Sequence, residues 1–391
     1  MMIYIVKSGD TVERIALKYN VLAETIIYDN QIPFPYRLAV GQALFLAETS
    51  TDEMLSIAEP SLSMPTMPER RFIYVNGYAY PFIREWTLNQ TLPYLTDLSI
   101  FSYGFTTEGN LLAPQLSDQW MIEAAWQYDV KPILTLTPLD EQGRFNNYLI
   151  SAVVNNEAAQ SNLISQIRNT VYQKGFLGVD IDFEFILAED RDAFTEFVRV
   201  MTEALNEDGY QVSVALAPKT SSTQQGLLYA GKDYQGLGEV ANHVLLMTYE
   251  WGYTYGPPMA VAPIDQVRAV VEYAVTEIEP TKINLGIPNY GYDWPLPYVR
   301  GTIRARTIGN VEAVQLAILQ GAEILYDEAA QSPYFRYMEG DITHEVWFED
   351  VRSLQAKFNL VNEYGLRGVG YWQIMQLFRA NWLLLRSMFI S

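Results

Sequence analysis

The chain has 391 residues, 49% of them apolar and 13% aromatic, and a formal net charge of −20. That length suits one large domain plus a small one, and such a charge repels nucleic acid and gives no pull toward an anionic membrane. There is no cysteine, which excludes disulfides, a thiol nucleophile and a zinc–thiolate site.

The two histidines, His243 and His344, are far apart and lack ligand-like neighbours, so no metal site and no cofactor are expected. No apolar run is long enough to span a bilayer. The start, "MMIYIVKSGDTVERIA", has no basic segment followed by a long apolar stretch, so no Sec-type signal is visible. The 27 Tyr and 8 Trp fit carbohydrate binding by ring stacking, although large α/β cores use many aromatics too.

In chain order, "IYIV" predicts a short strand and "KSGDT" a turn into a helix that Asp10 or Thr11 can cap. Val12, Ile15, Ala16 and Tyr19 fall on one face of that helix. A second helix, "LAETIIYDN", and a closing strand in "RLAVGQALFL" complete a βααβ unit over residues 1–46. These residues, with the GDT turn, Asn30 and "L.VGQ.L.L", resemble a LysM module. The resemblance implies binding of N-acetylglucosamine-containing glycans in a groove between the two turns, lined by Gly9, Asp10, Thr11, Asn30, Gln31 and Ile32.

Residues 47–71, rich in Ser, Thr, Glu and Pro, read as a linker. A barrel following such a linker is expected to fold without the module. Over 72–391, eight strand candidates alternate with helical runs: "RFIYVNGYAY", "LSIFSYGF", "KPILTLTP", "GVDIDFEFI", "QVSVALAPK", "HVLLMTYEWG", "INLGIPNYGY" and "GVGYWQI". Phe194, Phe197, Val198, Met201 and Leu205 form one apolar helical stripe, and Leu163, Ile164, Ile167 and Val171 another. The pattern predicts an α/β fold, a (β/α)8 TIM barrel. An α+β insertion is expected at about 295–350, between strands seven and eight.

"GVDIDFEF" places Asp180, Asp182 and Glu184 on one face of the fourth strand, with Ile181, Phe183 and Phe185 on the other. A solvent-exposed face is the bland alternative, but like charges crowded on one face oppose folding. Inside a barrel, the crowding lets a carboxyl keep its proton near neutrality, as a general acid must.

"GVDIDFE" resembles the DxxDxDxE signature of glycoside hydrolase family 18, with Leu177 in place of the first Asp. "MTYEWGY" resembles the family's sixth strand, Glu250 departing from its Asp or Asn by one methylene. "GIPNYGYDW" resembles the seventh strand and "GVGYW" the eighth. The resemblance implies a substrate-assisted, retaining cleavage. Glu184 would be acid and then base, Asp182 would orient the substrate's acetamido group, Asp180 would tune Asp182, and Tyr249 would donate to the acetamido oxygen. Trp372 would lie under the reacting sugar, with Tyr103, Glu250, Asn289 and Tyr292 lining the site.

LysM plus barrel resembles bacterial spore cortex-lytic N-acetylglucosaminidases, which implies action on peptidoglycan as a monomer, in the cortex or coat of a spore. Those enzymes are made in the mother cell without a Sec signal, and otherwise a cell-wall location is expected. A chitinase, a non-catalytic chitinase-like lectin and a spore-coat protein relying on LysM alone remain open. Endo versus exo cleavage is open too.

Overall fold

The structure is a computed structural model and describes residues 2–47 and 70–391. Residues 48–69, the bulk of the expected linker, lie outside the described residues. In the N-terminal unit, strand Met2–Ile5 pairs antiparallel with Ala43–Leu46, and helices Val12–Tyr19 and Ala23–Asp29 pack beside them. Thr11 is the residue that caps the first helix, its Oγ1 accepting from the Arg14 amide. Asp10 braces the turn instead, accepting from Tyr4 Oη and from the Lys7 amide, both at 2.7 Å.

The eight predicted strands form a closed parallel barrel in sequential order. They are Tyr74–Ala79, Asp97–Phe105, Lys131–Leu136, Gly178–Ile181, Gln211–Leu216, His243–Leu246, Ile283–Pro288 and Gly368–Trp372. The first pairs with both the second and the eighth, which closes the ring and leaves no edge. Helices between the strands bury the stripes read from the sequence. Phe194, Phe197, Val198, Met201 and Leu205 lie inside helix Arg191–Asn206, and Leu163, Ile164, Ile167 and Val171 inside Glu157–Lys174.

Between the seventh and eighth strands the chain builds a five-stranded antiparallel sheet and the helix Asn310–Gln320. This sheet begins at Gly291, inside the "GIPNYGYDW" run expected to continue the seventh strand. The parallel ladder ends at Pro288, paired with Trp372. Tyr292 and Trp294 then join a second sheet and pack with Tyr290, Ala305 and Trp347 in a core of their own.

The N-terminal unit does not hang free of the barrel. Alternation in Ala43–Leu46 turns Leu44 and Leu46 into the module's own core, while Phe45 joins the barrel's. The strand packs against helices Val351–Glu363 and Arg379–Met388. The Ile324 amide donates to Val40 O at 2.9 Å and the Arg352 guanidinium to Gly41 O at 3.3 Å. Gly41 has φ +81°, and a Cβ there would sit 1.8 Å from Ile324 O, so this approach requires glycine. The linker composition pointed to independence, but composition says nothing of what the module's outer face meets.

Calorimetry of the full chain should therefore show one cooperative unfolding transition, and removing residues 1–46 should lower its midpoint by several degrees. Burial of Phe45 alone contributes about 1.5–3 kcal/mol, and each kcal/mol is worth ~2–4 °C in a domain of 150–250 residues. Two separate transitions with an unmoved barrel midpoint would mean that the module is not docked.

Candidate active site

The parallel ladder of the fourth strand stops at Ile181. Asp180 lies within the ladder, while Asp182 and Glu184 stand just past its end, at the C-terminal mouth where barrel enzymes keep their chemistry. Asp180 is 1% exposed. Its oxygens accept from Tyr78 Oη of the first strand at 2.8 Å and from Ser213 Oγ of the fifth at 2.5 Å. Burial raises its pKa, and these two hydrogen bonds oppose the rise.

Asp182 is 7% exposed. Its amide donates to Leu136 O at 2.9 Å, but its buried Oδ1 has no hydrogen-bond partner. Burial, then the charges of Glu184 and Asp180, push its pKa well above the usual carboxylate range. Burial also raises Glu184, and the Lys232 ammonium opposes that shift. The three acids thus compete for protons and titrate as a coupled group.

Around the row stand aromatic side chains from several strand ends. Tyr249, at the end of the sixth strand, has its pKa raised well above normal by burial and by the charges of Asp182, Glu184, Asp180 and Glu250. Its hydroxyl therefore stays protonated as a donor. Trp372 meets Phe101 edge-on at 5.0 Å, Tyr78 at 5.8 Å and Tyr80 at 6.1 Å between ring centroids. Burial and then the charges of Asp182 and Glu184 push Tyr80 up to about 12. From Tyr80 and Phe101 a cleft of about 730 Å³ runs past Phe82, Leu111, Leu116 and Phe145, a size typical of ligand sites. Phe82 is 64% exposed and stacks on Tyr80 at 5.0 Å, so flat apolar faces stay open to solvent.

The remaining expected lining residues separate into groups. Glu250, with φ +68°, accepts from the hydroxyls of Tyr290 and Tyr292, the latter at 2.8 Å. Burial raises its pKa, with those hydrogen bonds opposing. Asn289 is buried and donates to Gln373 O and Gln376 O, both at 3.0 Å, bracing the segment that leaves Trp372. Tyr103 is not at the mouth. It lies outside the barrel, 1% exposed, with its hydroxyl donating to Asp118 at 2.5 Å and accepting from Lys174 at 2.8 Å. Simple alternation would put Phe101 and Tyr103 on one face. The ladder register shifts between Ile100 and Tyr103, and that irregularity turns Tyr103 outward.

In the N-terminal unit the two turns differ. Gly9 and Thr11 are exposed and Asp10 half-buried. Asn30 clasps its own strand, donating to Phe45 O at 2.9 Å and accepting from the Phe45 amide at 2.7 Å. Gln31 faces the barrel, donating to Leu377 O at 3.2 Å and accepting from the Arg379 amide at 2.6 Å. Ile32 is buried in the module's core. The second turn is thus engaged by the module and the barrel, whereas the first turn, although braced by Tyr4, Lys7 and Arg14, leaves Gly9 and Thr11 exposed to solvent.

Sequence reasoning missed Tyr78, Tyr80, Phe101, Ser213 and Lys232. The first two carry a legible signal, since they repeat at every second residue in "NGYAY" as the acids do in theirs. Among the described residues no helix is long and apolar enough to cross a membrane. No group of three or more His, Cys, Asp or Glu among them is placed to hold a metal. His344 pairs with Asp293 at 2.8 Å within the inserted sheet.

Residues 143–376 match the family described as glycosyl hydrolases family 18, and residues 4–47 match the LysM domain. The chain is 38% identical to the cortical fragment-lytic enzyme of Bacillus subtilis, over 100% of this chain and 98% of that one. It is also similar to the crystal structure of the spore cortex-lytic enzyme SleL of Bacillus megaterium, with 36% identity and a TM-score of 0.90, covering 99% of this chain and 98% of that one. The corresponding Bacillus cereus structure is 32% identical, with a TM-score of 0.91, covering 100% and 98%.

The unpartnered Asp182 should cost stability when it ionises. A carboxyl whose folded-state pKa is raised contributes stability that is fully present below its unfolded value, about 3.9, and is lost as pH rises through the folded value. Asp182→Asn should therefore melt higher than wild type at neutral and alkaline pH, with the gap closing toward pH ~4. Melting curves of both proteins across that range check this, and a gap that widens on acidification would contradict it.

Proposed function

We propose that this chain, which belongs to glycosyl hydrolases family 18, is a glycosidase that cuts β-1,4 bonds after N-acetylglucosamine in peptidoglycan, with the spore cortex as its place of action. The names of the relatives support the substrate, and the LysM domain supports a glycan ligand. The observation that carries the mechanism is the buried row Asp180–Asp182–Glu184, with Asp182 Oδ1 left unpartnered at the mouth.

That geometry supports the following steps. Glu184, kept protonated toward neutrality by burial, gives its proton to the glycosidic oxygen as the C1–O bond breaks. The carbonyl oxygen of the substrate's own acetamido group bonds to C1, making an oxazolinium ion. Asp182 accepts from the acetamido N–H, and the Tyr249 hydroxyl donates to the acetamido oxygen. Asp180, anchored by Tyr78 and Ser213, fixes the charge that Asp182 meets. Water then attacks C1, giving its proton to the Glu184 carboxylate as the oxazolinium ring's C1–O bond breaks and the acetamido group is restored, and the anomeric configuration is retained. This is the substrate-assisted departure from the two-carboxylate scheme. Trp372 supplies the face beneath the reacting sugar, and the aromatic cleft beyond Tyr80 takes neighbouring sugars. The LysM domain would meet glycan through its Gly9–Thr11 turn.

Glu184→Gln keeps the shape but cannot deliver a proton, so turnover of solubilised cortex fragments should fall by about 10²–10⁴-fold while binding persists. A variant retaining more than about a tenth of wild-type rate would show that Glu184 is not the acid. Mass analysis of products from cortex fragments and chitooligosaccharides, digested side by side, tests the substrate.

A thiazoline mimic of the oxazolinium ion should bind more tightly than substrate, and both Asp182→Asn and Tyr249→Phe should weaken that inhibition. A glycosyl–enzyme adduct trapped by a fluorosugar on Asp180, Asp182, Glu184 or Glu250 would mean direct attack by a protein carboxylate.

A further inference from the structure

We propose that Lys232 is a positioning residue for this reaction: its buried ammonium pins the peptide between Asp182 and Glu184 and sets the charge against which the acid row works. The proposal rests on the reading of that row as the catalytic machinery. Lys232 stands just before the helix Tyr234–Val240 and is 0% exposed. Its Nζ donates to the carbonyl of Phe183, and to Ala215 O at 3.1 Å. The ammonium also lies 5.4 Å from the ring centroid of Phe194.

The position matters because of where the fourth strand stops. Pairing with both neighbours ends at Ile181, so the carbonyl of Phe183 lies past the ladder that would have satisfied it. A buried carbonyl needs a donor, and here the donor is a side chain from a different part of the barrel. The Phe183 carbonyl belongs to the peptide bond that leads into Glu184. Lys232 therefore fixes the plane from which the acid projects, and ties it to the fifth strand through Ala215.

Its charge is the second part. Two neutral carbonyls do not repay the desolvation of an ammonium, and burial pushes Lys232 down to about 8. The charges of Asp182, Glu184 and Asp180 oppose that fall. The reverse effect acts on the acids, where Lys232 opposes the upward shift of all three.

The other titratable groups facing this cluster are Tyr78 and Tyr80 from the first strand and Tyr249 and Glu250 from the sixth. Lys219 lies past the fifth strand, its Nζ donating to Lys232 O at 2.9 Å. It is flanked by the Arg191–Asp233 pair. Removing the Lys232 charge leaves the carboxyls with less opposing attraction. Both limbs of the pH–rate profile should then move to higher pH.

The absence of cysteine elsewhere in the chain makes the test clean. Lys232→Cys supplies a unique thiol, which can be alkylated in the unfolded state before refolding. Bromoethylamine restores an ammonium at lysine's length, and iodoacetamide gives a neutral amide of similar reach. Wild type taken through the same cycle controls for refolding.

On solubilised cortex fragments, the amide adduct should lose ~10²-fold in kcat/KM, as expected for a misplaced acid, with both limbs moved up by about one pH unit. The aminoethyl adduct should recover most of the rate and the original limbs. Equal activity of the two adducts, equal failure of both to refold, or a lowered profile with unmoved limbs would overturn the proposal. Glu184→Gln run beside them separates the two readings: if that variant stays active, the reading of the acid row fails rather than the role of Lys232.

Discussion

Three carboxyls in a row inside a barrel bore are the constraint to which the rest of the site answers. Taking an ionised carboxylate out of water costs several kcal/mol unless it is paired or hydrogen-bonded. Each member of the row meets that cost differently. Asp180 has two hydroxyl donors, from Tyr78 and Ser213. Asp182 has a buried oxygen with no partner, so its cost is met by holding a proton to higher pH. Glu184 is only partly enclosed, so its carboxyl keeps some contact with solvent at the mouth. The order from closed to open along one strand matches the order from support to chemistry in the proposed mechanism.

The mouth is organised around the same row by aromatic rings and the residues that steady them. Trp372 ends the eighth strand, and the segment leaving it is held by Asn289 at Gln373 and Gln376. One and three residues further on, the Leu377 carbonyl and the Arg379 amide bond the LysM residue Gln31. The floor of the site and the docked N-terminal unit thus share one short stretch of chain. On the other side, Glu250 is caught by Tyr290, just before the inserted sheet, and by Tyr292 in its first strand. The longer side chain at 250 is received by two hydroxyls from the chain that enters that sheet.

Much of this was legible beforehand. The period-2 alternation of "GVDIDFEF" placed the acids on one face, and the helical stripes of residues 157–205 fell inward as their spacing required. The order of eight strands specified a closed ring. The alternation failed at Tyr103, because one irregularity in the second-to-third strand ladder changes which residues face inward. It was incomplete at Lys232, because nothing local to "AGKDYQ" marks a lysine whose ammonium ends beneath a strand some fifty residues earlier. The docking of the LysM unit was hidden by its linker, whose composition describes the connection and not the surfaces on either side.

What the sequence determined by itself is what short-range periodicity can encode: the strands, the helices, the face carrying Asp180, Asp182 and Glu184, and the family to which the motifs belong. The tertiary structure decided which groups are buried together. That set the partners of Asp180, the missing partner of Asp182, the cation beneath them and the engagement of Gln31 by the barrel. The physical reason is that desolvation and hydrogen bonding depend on distance in space, and barrel closure brings together strands that lie up to about three hundred residues apart in the chain.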